Sequence, residues 1–351
     1  MVARHLIYGA TGYSGQRLVE QARAAGLRPI LGGRDPAAVA SLATAMGLPW
    51  CAAAVTDPAA LDAALDGVGV VLNAAGPFSR TAEAIADACL RNGAHYLDIS
   101  GEVRVIERLT WRHAGARRAG TMLMPAVGFD VVPTDCLAAH VARRLPGACR
   151  LATAVTQPRF LSMGSVATLL EGADVGLMRR DGAMHPLAVG TCQRRFDFGW
   201  GPTTCLNVSF ADLTTAYHST GIPNVVTFVE APPIVQGILA TSRMLGWALR
   251  WAPWRPLLQQ WATLLPADGD AGGARDDVTM RAVAEAEDGA GRRAVARLRT
   301  PEAYALTATA AIAILRRVLA GDVEPGFQTP ARVYGPDFVL SLPGVEREDV
   351  A

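Results

Sequence analysis

Short apolar runs alternate with amphipathic stretches over the first 125 residues of this 351-residue chain. The short runs are typical of buried strands, and the longer stretches repeat their apolar residues with a helical period. Strands are predicted over residues 5–8, 28–32, 50–54, 68–73, 95–99 and 121–124, and helices over 15–25, 36–46, 58–65 and 79–92. Repeated β-α units of this kind predict an α/β fold. We expect residues 1–127 to form a Rossmann-type domain, a doubly wound parallel sheet with its ligand crevice at the carboxyl ends of the strands.

From residue 128 the strands are grouped together instead of alternating with helices. Helices are predicted over 134–144 and 301–320, and strands over 150–156, 187–196, 205–211, 225–230 and, as a hairpin, 278–287 and 293–299. Grouped strands indicate a mostly antiparallel sheet. Residues 128–325 are therefore predicted to form a separate α+β domain. The tail, 326–351, is expected to pack back on the Rossmann domain.

An apolar stretch over residues 234–265 holds four of the seven tryptophans. A buried helix, or a helix at a homodimer interface, would have this pattern. So would a lid or surface-seeking element that makes a peripheral contact with a membrane or with a carrier protein. Both interpretations stay open on the sequence.

A glycine-rich loop follows the first predicted strand and opens the first predicted helix. We expect Gly9 to make the tight turn, Gly12 to let the backbone approach a pyrophosphate, and Gly15 to allow close packing of helix on strand. The helix N-terminus would supply N–H groups and positive dipole density for the phosphates. The other loop positions assigned to the cofactor are Thr11, Tyr13 and Ser14.

The residues after the second strand bear on which dinucleotide binds. An NAD-binding site usually has Asp or Glu there to bond the ribose 2′-hydroxyl, whereas this chain has Gly33 followed by Arg34. An arginine can bind a 2′-phosphate bidentately, so we expect NADP(H). The competing interpretation is a solvated Arg34 paired with Asp35. Asp57, just past the third strand, is predicted to approach the adenine.

The fourth predicted strand ends in the sequence Asn-Ala-Ala-Gly-Pro-Phe over residues 73–78. Small residues at this point let the backbone pass close to the nicotinamide end of a dinucleotide. We therefore assign Asn73, Ala75, Gly76 and Pro77 to the cofactor site. A plain structural turn is the alternative.

Composition and charge exclude several classes of protein. A formal net charge of +1 gives no reason to expect a nucleic acid as partner. The six cysteines form no C-x-x-C pair, and no signal-peptide pattern opens the chain, so a reducing cytoplasm is expected. No clustered metal-ligand motif is present, so we expect no metal.

Every one of the 33 basic residues is an arginine. A Schiff-base enzyme, a Walker P-loop and a Tyr-x-x-x-Lys dehydrogenase all need a lysine. The composition excludes all three, and it leaves proton donation to Tyr, His or a carboxyl group.

Six segments distributed along the chain carry a resemblance. They are GATGYSG (9–15), NAAGPF (73–78), HYLDISGE (95–102), GFDVVPTD (128–135), TAYHSTGIPN (215–224) and GFQTPARVYGPDFV (326–339). Together they resemble the saccharopine dehydrogenase-like oxidoreductases, and the STGIPN segment is most similar to the trans-acting enoyl reductase branch. The resemblance implies a Rossmann domain joined to an α+β substrate domain, a dimer, and NADP(H) as cofactor. It also implies hydride delivery to the double bond of an acyl or polyketide-like chain, whereas the missing lysine argues against the lysine-forming branch.

Reduction of an activated double bond needs a proton donor and groups that hold the carbonyl oxygen. Tyr217 and His218 are the candidate proton donors in the densest cluster of suitable groups. Candidate catalytic and substrate-binding residues elsewhere are Asp98, Glu102 and Asp130, and within the cluster the hydroxyls of Ser219 and Thr220. Each of these residues also has a structural alternative. Tyr217 could be a core residue with a hydrogen-bonded hydroxyl, and His218 could lie at the boundary between the domains. Asp98 could cap a helix or turn, and Asp130 could stabilise the hinge between the domains.

These observations predict an NADPH-dependent reductase of an activated C=C bond in a hydrophobic or carrier-bound acyl substrate. Reduction of a C=N bond, as by an imine reductase, is the nearest alternative, since the same hydride geometry serves both. A carboxylate-binding pair drawn from Arg159, Arg194 and Arg195 would favour it. A non-catalytic NADP(H) sensor is the alternative from another class, because a Rossmann fold does not imply turnover.

Overall fold

The structure, a computed structural model, describes residues 4–156, 176–231 and 279–350. The described strands are β1 Arg4–Tyr8, β2 Ile30–Gly33, β3 Trp50–Ala52, β4 Val68–Asn73, β5 His95–Asp98, β6 Met122–Met124, β7 Ala148–Val155, β8 Leu177–Arg180, β9 Ala183–Pro186, β10 Gln193–Asp197, β11 Pro202–Val208, β12 Asn224–Glu230, β13 Met280–Asp288, β14 Arg293–Thr300, β15 Gly326–Phe327 and β16 Glu346–Val350. The described helices are α1 Tyr13–Ala24, α2 Pro36–Met46, α3 Pro58–Ala64, α4 Phe78–Asn92, α5 Val103–Thr110, α6 His113–Ala119, α7 Val132–Arg144, α8 Asp212–Thr220, α9 Ala303–Leu319, α10 Pro330–Tyr334 and a 3-10 helix Phe338–Ser341.

The first sheet has seven strands in the order β15-β6-β5-β4-β1-β2-β3. Every neighbouring pair in it is parallel. The chain proceeds from β1 towards β3 in one direction and from β4 towards β6 in the other, which places the topological switch point between β1 and β4. The predicted doubly wound parallel sheet is confirmed, and folds of this kind bind their ligands at the carboxyl ends of the two strands beside the switch point.

The second sheet is built around the order β10-β11-β12-β7-β13-β14-β16, with the β8–β9 hairpin pairing to β12. The β12–β7 pair is parallel and the other described pairs are antiparallel. Helix α7 packs against β13 and β14, and α8 packs against β12. The mostly antiparallel sheet of an α+β arrangement is therefore confirmed.

The strand predicted over 187–196 is shorter than expected, because regular pairing begins at Gln193. Gly190 has φ +73°, and its N–H donates to the carbonyl of Asn207 at 3.1 Å. The Cys192 N–H donates to Oδ1 of the same asparagine at 2.8 Å. These bonds close a turn that interrupts the extended chain. The strand was predicted to start too early because the residues that precede the turn are apolar.

The last part of the chain contributes to both sheets, which differs from the predicted boundaries. Helix α9, predicted within the second domain, packs on α1 and on β4 of the first sheet. In the tail, β15 pairs with β6 of the first sheet, whereas β16 pairs with β14 of the second. The tail thus joins the two sheets instead of packing on the first alone.

One continuous apolar cluster extends through both sheets, from Ile7 and Leu72 to Leu298 and Leu315. The first sheet is therefore packed against helices from the second half of the chain through a shared core. Within the described part of the chain, no helix has the length and apolarity needed to cross a bilayer. The tryptophan-containing stretch 234–265 lies outside the described residues.

Candidate functional site

The glycine loop between β1 and α1 is packed so closely that side chains are excluded at two of its positions. Gly9 has φ +83°, and a Cβ on it would lie 2.6 Å from the backbone nitrogen of Ala75. A Cβ on Gly15 would lie 2.1 Å from the carbonyl oxygen of Gly9. Real Cβ atoms do not approach backbone that closely, so glycine is required at both positions. The loop after β4 therefore lies directly against the loop after β1.

The N-terminus of α1 differs from those of the next two helices. Asp35 accepts hydrogen bonds from backbone N–H groups at the start of α2, and Asp57 accepts one at the start of α3 at 3.0 Å. By contrast, α1 follows the exposed Gly12 and has no side-chain cap. Its first turn is thus open to an anion, as a dinucleotide pyrophosphate requires. Asp57, predicted to approach the adenine, is already used as a cap.

Tyr13, at the start of α1, packs against an aromatic residue from the other half of the chain. Its ring lies edge-on to that of Tyr304, with centroids 5.1 Å apart, and the guanidinium of Arg17 lies 5.0 Å from its centroid. Nearby, the N–H of Phe129 donates to Oγ1 of Thr307 at 3.0 Å. The start of α9 therefore borders the cofactor loop. The contact between Tyr13 and Tyr304 could not be predicted from local sequence patterns, because the two residues are hundreds of positions apart in the chain.

Arg34 follows β2 and is exposed. No hydrogen bond or ion pair joins it to another of the residues that the structure describes. The carboxylate of Asp35 is used at the start of α2, so the alternative pairing of these two neighbours is not observed. A guanidinium with all its donors available at this position is suited to a 2′-phosphate.

The segment after β4 is shaped by Asn73 and by a carboxylate from another loop. Oδ1 of Asn73 accepts the N–H of Ala75 at 2.9 Å, which turns the chain, and the Gly76–Pro77 peptide bond is cis. Glu102 accepts the N–H of Phe78 at 2.7 Å, and its other oxygen caps the same helix. Glu102, predicted to bind substrate, thus caps α4 and holds this loop in place.

Asp98, predicted to be catalytic, is fully buried at the end of β5. Its Oδ1 accepts backbone N–H groups of Ser100 at 2.9 Å and of Ala126 at 2.7 Å. Its Oδ2 accepts the hydroxyl of Tyr96 at 2.7 Å, and that hydroxyl accepts an N–H of Asn73 at 3.3 Å. Burial raises the pKa of the Asp98 carboxyl to about 6. The bonds show a group that joins the loops after β4, β5 and β6.

Asp130 is the carboxyl group in this region with no hydrogen-bond partner among the described residues. It follows β6, and a Cβ on Gly101 would lie 2.5 Å from its Oδ2, so the loop after β5 leaves room for it. The residue is exposed to solvent, yet surrounding protein raises the pKa of its carboxyl to about 6 through desolvation. Protein thus surrounds much of the carboxyl, while the residue keeps contact with solvent.

Tyr217 and His218, the predicted proton donors, lie on α8. The guanidinium of Arg179 stacks 4.5 Å from the Tyr217 ring centroid, and the His218 ring lies 5.0 Å from that of Phe327 at the sheet edge. The rings of Tyr217 and His218 also lie edge-on to each other with centroids 5.5 Å apart, and a Cβ on Gly182 would lie 3.3 Å from the Tyr217 hydroxyl. Burial, reinforced by Arg179, lowers the pKa of His218 to about 4, so its imidazole is neutral at pH 7.

The hydroxyls of Ser219 and Thr220 have structural bonds in place. Ser219 donates to Oδ1 of Asp135 at 2.6 Å and bonds to the hydroxyl of Thr329. Thr220 donates to the carbonyl of Ala216 at 2.6 Å, within α8. The described contacts therefore link the two loops with Asp98 and Glu102, and they set Asp130 against Gly101. Ser219 is bonded instead to Asp135, in the first turn of α7 and five residues after Asp130. Within residues 4–156, 176–231 and 279–350, no cluster of three His, Cys, Asp or Glu side chains is arranged to bind a metal ion.

Comparisons with known proteins agree with this geometry. Residues 9–101 match a family model described as NAD(P)H-binding. A saccharopine dehydrogenase-like oxidoreductase of Bos taurus is 29% identical over 164 residues, which cover 40% of this chain and 38% of that protein. A trans-acting enoyl reductase of Mycobacterium ulcerans is 30% identical over 183 residues, covering 47% of this chain and 43% of that protein. The chain thus matches less than half the length of these relatives.

A solved structure extends the likeness over the whole fold. Apo saccharopine dehydrogenase (L-Glu forming) from Saccharomyces cerevisiae superimposes with a TM-score of 0.65 over 99% of this chain and 100% of that one, at 14% identity. Fold and loop define a protein with a nicotinamide-dinucleotide-binding domain of Rossmann type and a second sheet. Over the matched part, the chain is similar to the saccharopine dehydrogenase-like oxidoreductases, which agrees with the resemblance carried by its motifs.

Proposed function

We propose that the chain is an NADPH-dependent reductase that transfers hydride to an activated C=C bond of a hydrophobic acyl or polyketide-like substrate. One observation carries the proposal: the uncapped glycine loop and the unpartnered Asp130 carboxyl lie at the same edge of the first sheet. The loop after β4 touches Gly9, Asp98 links the loops after β4, β5 and β6, and Gly101 touches Asp130. Neighbouring strands are about 4.8 Å apart. A substrate of modest size at this edge would reach both.

The cofactor would be held by groups that are otherwise unengaged. The open first turn of α1 fits the pyrophosphate, and Arg34 fits the 2′-phosphate that distinguishes NADPH from NADH. The backbone at Ala75 and Gly76 borders the remaining part of the crevice. When bound, the reduced nicotinamide supplies the hydride.

Asp130 would supply the proton that balances the hydride. As the hydride reaches the β-carbon, the electron pair of the C=C bond takes the Asp130 proton at the α-carbon, and the carboxylate is reprotonated from water. Desolvation favours the protonated form, since it raises the pKa to about 6. Solvent exposure of the residue provides the route for reprotonation. In this scheme Tyr217 and His218 are not needed at the reacting carbon.

The choice of C=C is supported by the relatives named as trans-acting enoyl reductases. The imine alternative called for a carboxylate-binding pair of arginines. Arg194 is instead paired with Glu285 on the second sheet and stacks on Phe196, and Arg159 lies outside the described residues. The homodimer, the cytoplasmic location and the carrier or membrane contact through 234–265 remain parts of the proposal.

The test follows NADPH oxidation with a panel of enoyl thioesters, enones and imines. We expect turnover of an enoyl thioester, and a loss of about 10²- to 10⁴-fold in kcat for Asp130→Asn with unchanged NADPH affinity. Asp66→Asn, an exposed aspartate away from the crevice, is the matched control. Turnover of imines alone would favour the imine reductase. Tight NADPH binding without turnover of any compound would favour the sensor.

A further inference from the structure

A second recess lies at the far edge of the first sheet, beyond β15. It has a volume of about 320 Å³ and is lined by His113, Arg117, Glu324, Pro325, Gln328 and Arg332. Strand β15 is four strands from β1 in the sheet order. At about 4.8 Å per strand, the recess is roughly 19 Å from the glycine loop. It is therefore separate from the cofactor crevice.

The recess holds two arginines and one glutamate, a formal charge of +1 with His113 neutral. Arg117 and Arg332 are exposed and form no ion pair or hydrogen bond with another described residue, and neither does Glu324. Most arginines of the second sheet, by contrast, are paired with carboxylates, such as Arg297 with Asp197 at 2.6 Å. Two guanidinium groups on one concave wall are suited to an anion with two or more oxygens.

The imidazole of His113 is fixed as a further donor. Its Nδ1 accepts the backbone N–H of Phe327 at 3.1 Å, so the proton of the neutral ring is on Nε2. A Cβ on Gly326 would lie 2.8 Å from the same ring, so the glycine allows the ring to approach β15 closely. The ring is thus a built part of the wall.

Gln328, which lines the recess, has a buried oxygen without a hydrogen-bond donor. The residue is 1% exposed, and its Oε1 accepts no hydrogen bond within the described parts of the chain. Its Nε2 reaches the carbonyl of Pro325 only at 3.4 Å. A buried acceptor without a donor lowers stability. The residue lines the recess, so a ligand hydroxyl or a protonated ligand oxygen there would supply the missing donor once the amide turns its Oε1 towards the recess.

We propose that this recess binds a small doubly charged oxyanion that also carries a hydroxyl donor, a phosphate monoester or a hydroxylated dicarboxylate, at a site distinct from the cofactor crevice. Arg117, Arg332 and Nε2 of His113 would bind its oxygens, and Oε1 of Gln328 would accept its hydroxyl. The volume is at the lower end for small-molecule sites and restricts the ligand to a small metabolite. Binding would add contacts to segment 326–332, in which Thr329 bonds to Ser219 and Ala331 bonds to Asp135 at the junction with the second sheet. The inference does not depend on the reductase activity.

The test measures thermal melting and calorimetric binding with inorganic phosphate, glycerol phosphate and malate, each against sodium chloride of equal ionic strength. We expect one of these anions to raise the melting temperature of the wild-type protein without NADPH. The double variant Arg117→Gln/Arg332→Gln should weaken its binding at least about tenfold. Arg118→Gln, an exposed arginine next to Arg117 that does not line the recess, is the matched control and should bind as the wild type does.

Gln328→Leu provides an independent arm. It removes the unpartnered acceptor, so the free protein should melt no lower than the wild type, while affinity for the hydroxylated anion falls. A response to glycerol phosphate supports the phosphate source, and a response to malate supports the dicarboxylate source. No anion effect beyond sodium chloride would overturn the inference. So would equal affinity in the double variant, since phosphate would then be binding elsewhere, including at the start of α1.

Discussion

Replacement of Arg34 by alanine isolates the choice between NADPH and NADH. The side chain is exposed and has no described partner, so its removal should leave the free energy of unfolding within about 0.5 kcal/mol of the wild type. The expected effect of the substitution is therefore on cofactor affinity. Loss of a charge-assisted hydrogen bond to a phosphate costs about 1.5–3 kcal/mol, or roughly a 10- to 150-fold rise in the Kd for NADPH. NADH has no 2′-phosphate, so its Kd should change less than about twofold.

Both Kd values are obtained by calorimetric titration of each protein with NADPH and with NADH. Arg23→Ala removes an exposed arginine from the opposite end of α1 and serves as the matched control. Higher salt should narrow the difference between wild type and Arg34→Ala for NADPH, because exposed charges are screened. Equal losses for the two cofactors, or a wild type that prefers NADH, would refute the assignment of Arg34 to a 2′-phosphate.

Four further predictions follow from the site and its surroundings. The kcat of the wild type should fall as pH rises through about 6, where the proposed donor Asp130 loses its proton, and Asp130→Asn should abolish this dependence in stopped-flow assays. Gly15→Ala should lose about 1–3 kcal/mol in urea unfolding together with NADPH affinity, because its Cβ would lie 2.1 Å from the Gly9 carbonyl. His218→Phe should keep kcat within about threefold, since the imidazole is neutral and packs among aromatic rings; a loss of about a hundredfold would restore His218 as the donor. Burial raises the pKa of the Asp212 carboxyl to about 7, whereas the pKa in the unfolded chain is near 4. The contribution of the protonated carboxyl to stability is therefore complete below about pH 4 and is lost as pH rises towards 7. Asp212→Asn should melt at a higher temperature than the wild type at about pH 8 and lose that advantage at about pH 4.

The first half of the chain was predictable because its signals are local. Asp35 followed by proline, and Asp57 followed by proline, mark helix starts, and α2 and α3 begin there. Strand β4 occupies the predicted residues 68–73. Helices α5 and α6 were not predicted, although a hydrophobic face on α5 buries Val105 and Leu109. A short helix gives too few turns for its period to stand out beside neighbouring strands.

The cluster at residues 217–220 shows a different limit of sequence reasoning. Consecutive residues on a helix project about 100° apart, so the side chains of residues 217–220 point in different directions. In the structure Tyr217 faces Arg179, while Ser219 faces Asp135 on the opposite helix α7. Proximity in sequence identified a group of polar side chains, but the helix distributes them over separate surroundings.

The carboxylates near the strand ends could be separated only by their hydrogen bonds. Sequence placed Asp98, Glu102 and Asp130 after neighbouring strands and gave each a part in substrate chemistry. Asp98 accepts three hydrogen bonds, and Glu102 accepts two backbone N–H groups. Proton transfer to or from either carboxyl group would weaken hydrogen bonds that hold these loops together. Asp98 and Glu102 are therefore better suited to stabilising the loops than to general acid catalysis. Asp130 accepts no hydrogen bond from the described residues, so its proton can leave and return without a structural cost, as a general acid requires.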